Sequence, residues 1–193
     1  MQFKHCLAAA TMALVATSSS AAFTTFVGTF IPEGANNPSG SGTVHIVYDS
    51  SDNTLDFDVI FSGLSSPTRA AHIHCCTAIA EVGNAGVVVE PPSLVNFPVG
   101  VTAGHYVANV DLDEAGNINP DFINNVNFGN GSLTKAIEVL LAGMSDGHAY
   151  FNIHTDANRA GEIRAYLQVP EPASWALALG AIGLLGAARR STH

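Results

Sequence analysis

Polar and apolar residues alternate along most of this chain, in short runs. Leu55, Phe57, Val59 and Phe61 fall on one side of a run whose other side carries Asp56 and Asp58. That period of two is the signature of a strand with one buried face. Val44, Ile46 and Tyr48 alternate with His45 in the same way, and the polar residues 49–54 between the two runs suit a hairpin turn. Further strands are predicted over residues 23–31, 71–76, 87–89, 105–112, 149–155 and 162–169, with 32–42 as a loop rich in Gly, Pro, Asn and Ser. In the last strand Ile163, Ala165 and Leu167 point inward, while Arg164 points outward and can pair with Glu162 or Asp156 as a surface ion pair. Only residues 119–144 read as helical. Asp121 can cap a first short turn, and Ser132 can cap a helix with an apolar stripe of Ala136, Ile137, Leu140 and Leu141 that stops at Gly143. Many short alternating strands imply an all-β antiparallel sandwich or barrel, with one short helix inserted before the last two strands.

Both ends break this pattern. Lys4, an apolar run over residues 6–16 and the small Ala21-Ala22 make residues 1–22 a signal peptide, whose apolar run is too short to span a bilayer. The β domain then covers 23–169, and 170–193 forms a tail. The tail opens on Pro170-Glu171-Pro172, continues as an apolar run over 175–188 and ends on Arg189-Arg190. As a helix that run is about 21 Å long, against about 30 Å for a bilayer core. Motif, marginal apolar span and basic end resemble the PEP-CTERM sorting signal of Gram-negative exported proteins. The resemblance implies transient inner-membrane association, recognition by an exosortase-type protease, and delivery to the cell surface or an exopolysaccharide matrix.

Charge narrows the partners. The 23–169 region holds four basic residues against fifteen acidic ones, a net charge of −11. Such a surface argues against nucleic acid and anionic membranes. Of the three cysteines only Cys75 and Cys76 lie beyond the signal peptide. Being adjacent, they close no useful loop. A vicinal disulfide, an intermolecular bridge, metal ligation and two plain thiols all remain open. No Ser-His-Asp order, phosphate loop, dinucleotide fingerprint or zinc-protease motif occurs, so no catalytic residue is assigned. Residues 111–116 give half a calcium loop without its distal Glu, and Asn130-Gly131-Ser132 forms a sequon of the kind frequent by chance.

The chemistry concentrates in two predicted strands. His72 and His74 share one strand face, and His154 can join them from a neighbouring strand. Two histidines at i, i+2 plus one from another strand can build a three-imidazole site for zinc or copper. The same rings can equally fasten the sheet as hydrogen-bonded groups. His148 lies six residues before His154, about 20 Å along a strand, and cannot reach the same ion. His105 qualifies only if its strand neighbours the patch, and Cys75 and Cys76 could add sulfur. Residues 71–74, 148–155 and 160–164 together resemble the CHRD domain, named from chordin. Here Cys75 stands where that family has a glycine. The resemblance implies an all-β, immunoglobulin-like extracellular module with no well-established enzymatic activity. The role expected here is structural or interactive, within an extracellular matrix or envelope, with exopolysaccharide or envelope proteins as candidate partners. A metal-binding module is the alternative. A metalloenzyme resembling Cu/Zn superoxide dismutase is disfavoured, because the further histidines and framing disulfide of such a site are missing.

Overall fold

The computed structural model describes residues 22–170, except 34, 35, 90 and 91. The strands are β1 (Phe23–Thr29), β2 (Ile31–Pro32), β3 (Ser41–Asp49), β4 (Thr54–Ser62), β5 (Thr68–Cys75), β6 (Gly86–Val89) and β7 (Gly104–Asp111), then β8 (Asp146–Thr155) and β9 (Ile163–Gln168). Helices α1 (Pro120–Asn124) and α2 (Leu133–Ser145) lie between β7 and β8. The strands form one antiparallel sheet in the order β6-β5-β8-β9-β1-β3-β4-β7, with β2 paired to β9. The sheet curls on itself: Phe57 of β4 and Phe151 of β8, four places apart in that order, meet with ring centroids 6.3 Å apart. The all-β antiparallel reading therefore holds, as a single rolled sheet with a helix before its last two strands.

Alternation fills the inside of the roll. Leu55, Phe57, Val59 and Phe61 are at most 2% exposed, and Asp56 and Asp58 stay in water. Ala71, Ile73, Ala149, Phe151, Ile153, Ile163, Ala165 and Leu167 are fully buried from the other wall. The β1–β9 seam is narrow. β1 pairs with β9 only at Val27↔Gln168. Gly28 lies so close to the β9 backbone that a Cβ there would stand 2.6 Å from the Tyr166 carbonyl oxygen.

Three local expectations are corrected. The cap of α1 is Asn119, whose side chain accepts from the Asp121 N–H; Asp121 occupies the first turn instead. Ser132 does cap α2, accepting from Lys135 N at 3.3 Å, but Gly143 does not end the helix, which runs on to Ser145. Gly143 is buried where α2 crosses the Cys75–Cys76 disulfide, and only a residue without a side chain fits there. Nor are Glu162 and Arg164 a surface pair. Glu162 is fully buried and accepts from Ser65 N (2.5 Å), Ser39 N (3.2 Å) and the Thr155 hydroxyl (2.5 Å). Arg164 is 7% exposed and binds Glu33, while Asp156 pairs with Arg69 at 2.7 Å on the surface. Strand alternation put both side chains off the core correctly. It could not show that loops fold back over that face.

Gly143→Ala weighs two opposed effects. Alanine favours a helix interior by about 1 kcal/mol. Its Cβ would meet Cys75 Sγ at 2.6 Å and Cys76 Sγ at 2.9 Å, and overpacking costs roughly 1–3 kcal/mol. The expected outcome is net destabilisation in urea unfolding of the oxidised protein. An unchanged or raised midpoint would refute the tight helix-to-disulfide contact.

Candidate metal centre

β5 and β8 lie side by side, with Ala70 opposite His154, His72 opposite Asn152 and His74 opposite Tyr150. Even-numbered residues on both strands turn away from Ala71, Ile73, Phe151 and Ile153 and onto the outer face. There His72, His74 and His154 converge, with one nitrogen of each inside a 4.8 Å span. His72 and His74 are buried, and His154 is half-buried on the solvent side. The three rings whose convergence the spacing suggested are brought together.

Their hydrogen bonds fix which nitrogens face inward. A carbonyl oxygen only accepts, so a ring nitrogen facing one carries the hydrogen. His72 Nε2 donates to the Pro92 oxygen at 2.5 Å, His74 Nδ1 to Ala85 at 2.9 Å, and His154 Nδ1 to Arg159 at 2.9 Å. In neutral rings the lone pairs then sit on His72 Nδ1, His74 Nε2 and His154 Nε2. His72 Nδ1 and His154 Nε2 face each other at 3.0 Å. Two lone pairs at that distance repel unless a proton or a cation lies between them. His74 Nε2 is buried and has no hydrogen-bond partner among the described residues. Each ring is thus held from behind by a carbonyl, the usual arrangement of a metal-ligating histidine. Three imidazoles suit zinc or copper, and three protein ligands leave a coordination position open.

The setting is rigid. The His74 ring stacks on Tyr150, centroids 4.8 Å apart and planes 4° from parallel. Tyr150 Oη accepts from Ala85 N at 3.1 Å, the residue whose carbonyl holds His74. The Arg164 guanidinium sits over the Tyr150 ring at 4.3 Å and bonds Glu33, Asn84 Oδ1 (2.6 Å), the Gly83 oxygen (2.5 Å) and Tyr166 Oη (3.0 Å). Asn152 Nδ2 donates to the same Glu33 carboxylate. Burial pushes His74 down to about 4, with charge on His72, His154 and Arg164 adding and the Ala85 carbonyl opposing. Burial lowers His72 as well, against the Pro92 carbonyl, with His154 adding.

The other candidates lie elsewhere. His148 Nδ1 faces the Thr77 oxygen at 2.6 Å, and His105 Nε2 meets Asp58 at 2.8 Å on the exposed β4–β7 face. Cys75 is on the core side of β5, 2% exposed, and its sulfur is bonded to that of Cys76. Residue 75 continues the strand without positive φ. Pro170 is the last described residue. Glu171, Pro172, Arg189 and Arg190 lie outside the described residues, as do residues 1–21 of the expected signal peptide. Among the described residues no helix is long and apolar enough to cross a membrane. Sequence reasoning missed the three orienting carbonyls, which no residue type announces, and the Glu33–Arg164 pair. Tyr150, Asn152 and Arg164 were visible only as alternate positions on the histidine face.

A rolled antiparallel β module with a loop-covered histidine face defines the class. Residues 24–167 match the CHRD domain, and the chain belongs to the CHRD family. Residues 168–191 match the PEP-CTERM protein-sorting motif. Such signals are processed by exosortase, and the motif implies export and association with the Gram-negative cell envelope. No curated protein and no solved structure matches the chain.

The His74 shift has a defined sign. Its pKa falls from 6.5 to about 4 on folding, so the unfolded chain binds more protons between those values. The stability it contributes is present above pH 6.5 and lost as pH drops toward 4. In chelator, this amounts to at most roughly 3–4 kcal/mol. His74→Gln should unfold with a flatter pH dependence over that window; an identical slope in both proteins would refute a buried neutral ring.

Proposed function

We propose that this protein is an exported CHRD module of the cell surface or extracellular matrix, structural or interactive in role, that holds one zinc or copper ion. His72 Nδ1, His74 Nε2 and His154 Nε2 would be the ligands. The supporting observation is that all three inward nitrogens bear lone pairs, because a backbone carbonyl holds the opposite nitrogen of each ring. One of the three is buried without a partner. Leaving a buried polar atom unsatisfied costs roughly 1–3 kcal/mol, and a cation at the centre would remove that cost together with the repulsion. The 3.0 Å contact between His72 and His154 supports a second reading, a shared proton that makes the patch purely structural.

The remaining assignments concern the chain ends and partners. Cleavage after Ala22 would leave residues 23–169 as the working domain, with 170–193 as a removable tail carrying a short apolar span. Exosortase processing near Pro170 would release the domain to envelope proteins or exopolysaccharide.

Thermal unfolding of the mature protein with and without Zn²⁺ or Cu²⁺ separates the two histidine readings. A ligand at a hundredfold its dissociation constant stabilises by about 2.7 kcal/mol. The wild type should gain melting temperature with one of these ions, and His72→Ala should lose the gain. If neither ion helps, and His154→Ala is destabilised equally with and without metal, the patch is structural.

Replacing Pro170-Glu171-Pro172 by alanines should leave uncleaved protein in the inner-membrane fraction. Normal release would contradict the sorting assignment.

A further inference from the structure

The narrow β1–β9 seam opens a cleft of about 560 Å³ on the outer face of the sheet. One bank is the cross-strand pair Thr29 and Thr43 with His45 beside it, and the other is Tyr166 and Gln168 of β9, with Glu81 beside them. At its floor Gly28 lets β1 lie against the β9 backbone, where a Cβ would stand 2.6 Å from the Tyr166 carbonyl oxygen.

Its walls combine an aromatic ring with hydrogen-bonding groups, of which Glu81 alone is acidic. Tyr166 is half-buried and already fixed: its Oη accepts from Arg164 at 3.0 Å. A ring held before a ligand arrives adds little ordering cost on binding. Gln168 is likewise braced, donating from Nε2 to Glu81. Its Oε1 makes no hydrogen bond among the described residues, and neither do the side chains of Thr29, Thr43 and His45, all exposed. The cleft thus offers hydroxyl, amide, imidazole and carboxylate groups beside one tyrosine side chain.

We infer that this cleft binds a segment of a neutral polysaccharide. A pyranose ring presents C–H groups on its faces, which pack against the negative face of an aromatic ring, and hydroxyls at its edge, which both donate and accept. The cleft supplies both kinds of partner. It lies open on the sheet surface, so a polymer can enter mid-chain. An anionic polymer is disfavoured by Glu81 in the wall and by the −11 charge of the 23–169 region. The site is separate from the three histidines, none of which lines it.

Affinity electrophoresis of the mature protein tests this, in gels containing a soluble β-glucan, dextran or galactomannan, with alginate as the anionic control. At least one neutral polymer should retard the wild type, equally with and without EDTA. Thr43→Glu puts an anion into the cleft from an exposed position and should abolish retardation. His45→Ala should weaken it by about tenfold, the scale of one or two lost hydrogen bonds. No retardation by any neutral polymer, equal retardation by alginate, loss of retardation in EDTA, or unchanged retardation of Thr43→Glu would each overturn the inference.

Discussion

The pairing of β5 with β8 governs what this protein can do. The register that sets Ala70 against His154 and His72 against Asn152 sends Ala71, Ile73, Ala149, Phe151 and Ile153 into the core and the even residues between them outward. A slip of one residue in each strand would turn the three imidazoles toward Phe57 in the core and expose Ala71, Ile73, Phe151 and Ile153. Burial of the apolar set therefore holds the polar set in place. At roughly 1.5–3 kcal/mol for each large apolar side chain, the core outweighs any preference of the histidines themselves.

Once fixed there, the outer face poses a second problem. Loops between the strands fold over it, so His72, His74, Asn152 and Arg164 are nearly as buried as the core. Polar groups in that position need partners. Glu33 answers Arg164 and Asn152, the Gly83–Ala85 segment answers Arg164, Tyr150 and His74, and Pro92 and Arg159 answer the other two imidazoles. Glu162 ties Ser39, Ser65 and Thr155 in the same way. This network leaves unresolved the two inner nitrogens at 3.0 Å, the orphaned His74 Nε2 and Asn152 Oδ1, which also lacks a partner among the described residues; the proposed ion would satisfy the imidazoles.

The sheet was legible from the sequence because its signal is local. The hairpin of β3 and β4, the inward set of β9 and the Ser132 cap each follow from residues a few positions apart. Meeting of the three histidines was legible too, since a period of two places them on one face. What stayed hidden depends on the return of distant chain. Glu33 reaches Arg164 across the whole domain, so Arg164 read as a surface residue. Gly143 read as a helix stop, because its neighbour across space, the Cys75–Cys76 disulfide, is far away in sequence. Backbone carbonyls such as Ala85 and Pro92 carry no residue-type signal at all.

The sheet's order has one further effect. The histidines and the carbonyls behind them come from β5, β8 and the connections after β5, β6 and β8, on one side of the β1–β9 seam, while β3, β4 and β7 form the far wall. β1 and β9 are joined there by a single residue pair, and the walls otherwise meet through the core, where Phe57 packs on Phe151. The turn at residues 49–53, between β3 and β4, belongs to that far wall and supplies no group to the imidazoles.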